Sequence, residues 1–282
     1  MGADSNLIPF LTTFIASTNE LIKNAREIVK RKGIEAFAKS DMGMFLAMLF
    51  SYKSLFESTD ARTEEEFSRV LQKGLQASRG NSSKRSSEVT PAIMDLDDAV
   101  EEFFKAEISW EEFLLTLDHL LKNVVNESAL SVTEKIREIN LESLSDANHV
   151  AAAEAAIPQL TAHQCQVIIV SFGERRGAQV WQQETKCQFP IYLDQDRKLY
   201  SSLGMKRSFS NVWGKQDLVY YSEQMLQNRT LPQPVQDVVD DALQMGGDII
   251  FDQRGYPGFT YLSKSSSDRP TVSSVMSYLQ SS

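Results

Sequence analysis

The first half of the chain places apolar residues at the three- and four-residue spacing of amphipathic helices. One such stripe runs from Leu7 to Lys32, and Gly33 follows it as a suitable helix C-cap. A broad apolar face continues over residues 34–56. Thr63 and Glu66 form a capping-box pattern ahead of another apolar stripe. The periodicity predicts helices and no strands over residues 1–145.

Turn and capping signals divide this helical half further. Residues 78–87, SRGNSSKRSS, have almost nothing to bury, and we predict a flexible linker there. Thr90 and Pro91 favour a new helix start, because Thr can cap and Pro suits the first turn. Capping boxes at residues 109–112 and 131–134 predict two more helix starts.

After His149 the pattern changes from helices alone to alternating helices and strands. An alanine-rich helix is predicted over residues 150–162, and residues 208–245 read as an irregular insertion with a helix at Val235–Gln244. Residues 166–172, QVIIVSF, form an apolar run typical of a strand buried on both faces. Further predicted elements are a helix over 178–186, a strand over 189–193, helical turns over 197–203, a hairpin of strands 247–252 and 258–262, and a closing helix over 271–279.

This order of elements is that of the end of a thioredoxin-type fold, with parallel crossover units, an antiparallel hairpin and a last helix. The predicted fold class is therefore α+β in two parts. Residues 1–127 form a helical domain, and residues 128–282 form a thioredoxin-like α/β domain.

Charge and cysteine content exclude several functional classes. The net charge is −9, and residues 91–147 carry 14 acidic and 4 basic groups, which disfavours a nucleic-acid partner. This acidic segment could serve as a docking surface for a basic partner, although a solvated helix face is the more common explanation. Two cysteines and three scattered histidines predict no disulfide framework, metal site or cofactor. No long apolar segment or secretion signal is found, so we expect a cytoplasmic protein without membrane contact.

Three stretches of the second half resemble the peroxiredoxin-like AhpC/TSA group, in particular selenoprotein L and selenoprotein U type proteins. They are HVAAAEAAIPQLTAHQCQVIIVSFGE at 149–174, FPIYLDQDRKLYSSLGMKR at 189–207 and GGDIIFDQRG at 246–255. The resemblance covers roughly residues 148–282 and implies a thioredoxin fold with thiol- or selenol-dependent oxidoreductase chemistry. The helical first half contains no motif that carries this resemblance.

The chain departs from the family where the catalytic motif belongs. The resemblance implies a strand and a Cys-x-x-Cys turn before the helix that matches residues 149–162, so that a thiolate sits at a helix N-terminus. Here the preceding sequence is LESLSDAN, and the chain contains no Cys-x-x-Cys. A segment missing between Ala147 and Asn148 explains this, and it also implies that the first strand of the domain is missing.

The loss of that strand leaves two outcomes open. In such a fold the strand lies centrally, with QVIIVSF on one side and the FPIYL and GGDIIFD strands on the other. The flanking strands could pair directly, which we favour, or residues 135–144 could take the vacant place.

The remaining chemical candidates are weak. Cys187 and Cys165 are the redox candidates, but an ordinary thiol explains each of them. Asp194 and Asp196 favour helix capping over acid–base chemistry. The basic pair 206–207 favours a solvated role over an anion site.

We therefore predict a redox-family protein that is inactive because its motif is absent, and whether it is an enzyme stays open. The alternative is a non-catalytic adaptor whose helical half binds a partner protein.

Overall fold

The computed structural model describes residues 7–82, 95–124, 152–229, 238 and 241–281. Their helices, in chain order, are α1 Ile8–Lys32, α2 Ile34–Ser40, α3 Leu46–Ser58, α4 Glu64–Ser82, α5 Leu96–Val124, α6 Ile157–Ala162, α7 Arg175–Thr185, α8 Lys198–Ser202, α9 Phe209–Trp213, α10 Lys215–Leu226 and α11 Val272–Ser281. A 3₁₀ turn at Met42–Phe45 precedes α3, and residues 152–155 are also helical. The strands are β1 Ile169–Ser171, β2 Ile191–Leu193, β3 Gly247–Phe251 and β4 Pro257–Leu262.

The chain forms two compact units, each with its own packing. The helical unit contains residues 1–123 and 213–232, and the α/β unit contains residues 124–212 and 233–282. This arrangement confirms the predicted fold class, a helical region followed by a small α/β part with few strands. The predicted boundary at 127 and 128 falls outside the described residues.

Local signals placed two helix ends of the first half correctly. Gly33 ends α1 with a φ of 83°, a conformation that glycine adopts at little cost, and its N–H donates to the Val29 carbonyl. Thr63 Oγ1 accepts the Glu66 N–H at 3.2 Å, as the capping box predicts. Within residues 7–82 and 95–124 the structure contains helices and no strand, which confirms the prediction for these residues.

Two predicted boundaries are wrong. Residues 78–82 of the predicted linker belong to α4, while residues 83–87 lie outside the described part of the chain. The capping box at 109–112 starts no helix, because α5 continues through it. Its Trp110 is completely buried, so tertiary packing holds this position inside a helix. The signals at 90–91 and 131–134 are not among the described residues.

The core of the helical unit is rich in aromatic side chains. The ring centroids of Phe45 and Trp110 are 4.9 Å apart, and so are those of Phe14 and Tyr52. Both pairs meet edge to face, an arrangement that adds to the free energy of apolar burial. Trp110 Nε1–H also donates to the Trp213 carbonyl at 2.9 Å.

The insertion at residues 208–245 contributes the helix α10 to this core. α10 packs against α3 and buries Leu218, Val219 and Leu226. Ser222 Oγ lies 3.0 Å from the Leu49 carbonyl oxygen and 2.7 Å from its own helix carbonyl at Leu218. The insertion was predicted to be irregular with a helix at Val235–Gln244. The described residues of that stretch, 238 and 241–244, are not helical.

A partly buried polar network fixes the start of α10. The Glu107 carboxylate accepts hydrogen bonds from the Tyr52 hydroxyl at 2.8 Å and from Lys215 Nζ at 2.9 Å. Lys215 Nζ also lies 2.9 Å from Glu64, and the Glu111 carboxylate accepts the Lys215 N–H at 2.5 Å. Removing either partner of such a pair would leave a charge without compensation in a poorly hydrated place.

This network should make the helical unit sensitive to alkali. Burial, followed by the negative charge of Glu107, raises the pKa of Tyr52 well above its ordinary value of 10.0. Burial lowers the pKa of Lys215, but Glu107 and Glu64 outweigh this and raise it above 10.5. Above these ordinary values the unfolded chain loses both protons before the folded one does. The stability is therefore fully present below about pH 10 and is lost as the pH rises through the folded-state pKa values.

Urea unfolding measured between about pH 8 and pH 11 checks this expectation. The midpoint should fall with rising pH, and it should fall less steeply in a Tyr52→Phe variant, which retains the aromatic packing. An equal slope in the wild type and in this variant would contradict the assignment.

The described residues of the α/β unit form two separate two-stranded sheets. β1 and β2 pair in parallel, with Ile169 opposite Ile191, and β3 and β4 pair antiparallel, with Gly247 opposite Leu262. Gly247 permits this close pairing, because a Cβ there would lie 2.4 Å from the Tyr261 carbonyl oxygen. The predicted hairpin and closing helix are confirmed.

The predicted closure around the missing strand is confirmed only in part. QVIIVSF pairs directly with FPIYL, as the favoured outcome requires, but among the described residues neither strand pairs with the hairpin. Residues 135–144 lie outside the described chain. The predicted strand over residues 166–172 forms only at Ile169–Ser171. The run is also not buried on both faces, since Ile168, just before the strand, is 43% exposed.

No helix among the described residues has the length and apolar character needed to cross a membrane.

Candidate functional site

Cys187 lies in the core of the α/β unit. It follows Lys186, whose φ of 56° is left-handed and ends α7. The side chain packs with Ile169 and Phe189 and is 5% exposed. Burial raises the pKa of the Cys187 thiol, and a hydrogen bond from the Phe189 backbone offsets this only in part. Cys187 is therefore a neutral, poorly accessible thiol at neutral pH.

Cys165 is half-buried in the wall of an open groove. Its N–H donates to the Leu160 carbonyl, so it follows directly on the last turn of α6. The groove has a volume of about 360 Å³, and its lining is mainly apolar. Burial raises the pKa of the Cys165 thiol above its ordinary value of 9.0. The groove thus offers mainly apolar contact, and none of its lining residues is basic.

Both cysteines lie just beyond the C-terminal end of a helix. There the helix dipole carries its negative end, which disfavours a thiolate, whereas the N-terminal end favours one. Both thiols are free. The predicted candidates are therefore not brought together into a disulfide, and neither occupies the environment that activates a cysteine nucleophile.

The edge of β1 that faces away from β2 is partly closed by a side chain. Ile169 N–H donates to Pro190, and Ser171 O accepts from Asp194, so the Val170 amide and carbonyl point to the opposite edge. There the Tyr200 hydroxyl donates to the Val170 carbonyl at 2.9 Å. Burial, and then the charge of Asp194, raise the pKa of Tyr200, so that it remains a donor.

Asp194 holds Tyr200 in this position. Its carboxylate is 2% exposed and accepts the N–H groups of Lys198 at 2.8 Å and Tyr200 at 3.1 Å. This is the predicted capping role for Asp194. Asp196 is exposed and pairs only weakly with the solvent-facing Lys198, at 3.1 Å.

An ionic cluster around Asp241 links Arg197 and Arg207 to the segment that precedes the hairpin. Asp241 Oδ2 lies 2.9 Å from Arg197 Nη1 and 2.6 Å from Arg207 Nε. The Arg197 guanidinium also lies 5.3 Å from the centre of the Phe172 ring. The prediction that residues 206 and 207 form a solvated basic pair is wrong for Arg207, whose side chain is 14% exposed. It is correct for Lys206, which is exposed.

Sequence reasoning missed Tyr200 and Asp241 as structural residues. Tyr200 stands within the stretch that carries the family resemblance, but nothing there indicates that its hydroxyl reaches a strand edge 30 residues earlier in the chain. Asp241 has no local signal, because its partners lie 44 and 34 residues away.

No group of three or more histidine, cysteine, aspartate or glutamate side chains in the described part of the chain could hold a metal ion.

Comparison with known protein families gives one result. Residues 153–265 match the family described as "AhpC/TSA antioxidant enzyme". No curated protein and no solved structure matches the chain. The matched range contains the four strands found among the described residues and both cysteines, and it also contains α10, which packs in the helical unit. Residues 153–265 are therefore a segment of the peroxiredoxin-like, thioredoxin-fold AhpC/TSA family.

Proposed function

We propose that this protein is a peroxiredoxin-like thioredoxin-fold protein that does not itself reduce peroxides or disulfides. The observation that carries the proposal is the position of its two thiols, each buried or half-buried beyond a helix C-terminus with a raised pKa. Peroxide reduction needs a thiolate that attacks the peroxide O–O bond and becomes a sulfenic acid, while water or an alcohol leaves. Neither thiol is ionised at neutral pH.

The proposal also includes a missing internal segment between Ala147 and Asn148. Two observations support it: among the described residues the strands form two separate pairs, and the outer edge of β1 is met there by the Tyr200 hydroxyl and by no strand. Two free thiols fit a reducing compartment such as the cytoplasm.

Purified protein is expected to consume hydrogen peroxide with a thiol reductant no faster than a generic thiol does. Alkylation by iodoacetamide should be slow at neutral pH and should accelerate only as the pH rises above the ordinary thiol value of 9.0. The assay compares the wild type with Cys187→Ser and Cys165→Ser. Steady-state turnover that disappears in either variant would overturn the proposal and identify that thiol as a nucleophile.

A second candidate function is protein interaction through the helical unit, with the α/β unit as a rigid end-piece. The observation that favours it is the exposure of large apolar side chains on α5, a helix that otherwise belongs to the core.

A further inference from the structure

α5 carries an exposed apolar stripe on a face that the rest of the helical unit leaves uncovered. Phe104, Ile108 and Leu115 are 46%, 57% and 51% exposed. Separations of four and seven residues place them along one side of the helix. At about 1.5 Å per residue the stripe is roughly 16 Å long, or three helical turns. We call these three residues the α5 stripe.

The surroundings of the α5 stripe are acidic. α5 has eight acidic and two basic residues. Glu101 and Glu112 are exposed and lie beside the stripe on the surface of α5. Lys105, on the same side, already lies 2.7 Å from Glu101 and 2.9 Å from Glu102. An excess of negative charge therefore borders the apolar side chains.

An apolar stripe with acidic borders favours one kind of partner. A second copy of the chain would bring an equally acidic face against this one, and like charges at close range oppose such pairing. An anionic lipid surface would be repelled for the same reason. A helix with apolar residues on one side and lysine or arginine at its borders fits both the stripe and the charge.

We propose that the α5 stripe is a docking surface for a basic amphipathic helix of a partner protein. The proposal rests on the second candidate function and specifies its partner. Apolar side chains of the partner pack against Phe104, Ile108 and Leu115, in the manner of helix-in-groove recognition. Basic side chains beside them pair with Glu101 and Glu112 and fix the orientation of the docked helix.

The test titrates the full-length chain into a fluorescent 18-residue peptide with leucine at helical spacing and lysine elsewhere. A control peptide has glutamate at every lysine position. Ile108→Ser removes the centre of the stripe, and Phe50→Ser is the matched control, because Phe50 is 50% exposed on α3. We expect the lysine peptide to bind the wild type, with about tenfold weaker binding to Ile108→Ser and unchanged binding to Phe50→Ser.

Glu112→Lys provides a second variant that touches no core residue. It should weaken the binding of the lysine peptide, and added salt should reduce the difference from the wild type. Equal binding of the two peptides, or equal losses for Ile108→Ser and Phe50→Ser, would overturn the proposal. Sedimentation showing that the wild type self-associates and Ile108→Ser does not would also overturn it, in favour of a second copy.

Failure of this surface can be separated from failure of the interaction function itself. Lysine-peptide binding that survives in Ile108→Ser and Glu112→Lys would remove the α5 assignment and leave an interaction elsewhere on the protein. Absence of binding to the wild type would remove both.

Discussion

A fragment that ends at residue 127 is expected not to unfold cooperatively, because it lacks the insertion helix that completes the helical unit. α10 buries Leu218, Val219 and Leu226 to between 2% and 6% exposure. Burial of each such side chain contributes about 1.5–3 kcal/mol. Together they contribute an amount similar to the whole stability of a typical domain, about 5–15 kcal/mol.

The loss of polar contacts lowers the stability of this fragment further. Without α10, the buried Glu107 carboxylate loses the Lys215 ammonium, and the Glu64 N–H loses the Glu223 carboxylate that it meets at 2.8 Å. Arg62 also loses the Leu226 carbonyl at 3.2 Å. An uncompensated buried carboxylate is the most costly of these changes.

The measurement compares three purified proteins by urea unfolding and near-ultraviolet circular dichroism. They are residues 7–127 alone, the same residues joined through a glycine–serine linker to residues 213–229, and that fusion with Leu218→Ser and Val219→Ser. Only the unmodified fusion should give a cooperative transition with fixed aromatic signals. A fragment of residues 7–127 that unfolds with the midpoint of the fusion would show that α10 is not part of this core.

Trp110→Ala is expected to destabilise the helical unit by about 3–5 kcal/mol. The side chain is fully buried, and its N–H donates to the Trp213 carbonyl. Its ring centroid lies 4.9 Å from that of Phe45 and 5.9 Å from that of Phe113. Truncation leaves a large cavity and deprives that carbonyl of its donor, so transfer, cavity and hydrogen-bond losses add.

Leu115→Ala is the matched control on the same helix, because Leu115 is 51% exposed. It should change the free energy of unfolding by less than about 1 kcal/mol. Chemical unfolding of both variants at neutral pH gives the comparison. Similar losses in the two would mean that α5 is not anchored through Trp110.

Local sequence determined the features that depend on neighbouring residues. The stripes of residues 7–32 and 34–56 gave helices because an apolar residue every three or four positions lines one side of a helix. Gly33 and the Thr63–Glu66 pair set helix ends through their own backbone and side-chain hydrogen bonds. The hairpin of β3 and β4 followed from two short strands with a turn between them.

The candidate site was also partly determined by sequence. The absence of a Cys-x-x-Cys is a property of the chain itself, and two separated cysteines left only weak redox candidates. Both thiols follow helix C-termini, but the sequence predicted this position only for Cys187. Their burial, which raises their pKa values, depends on side chains such as Ile169 and Phe189 that only folding brings near Cys187.

Contacts between distant residues decided the rest, and no local pattern encodes them. α10 has a small apolar face that could pack against any complementary surface, and the partner it found, α3, lies more than 150 residues earlier in the chain. β2 paired with β1 rather than with the hairpin, and Tyr200 took the free carbonyl of Val170. Arg207 is largely shielded from solvent, and Asp241 lies 2.6 Å away and compensates its charge. Each outcome depends on which hydrogen-bonding and apolar surfaces meet in three dimensions, and tertiary structure alone determines that.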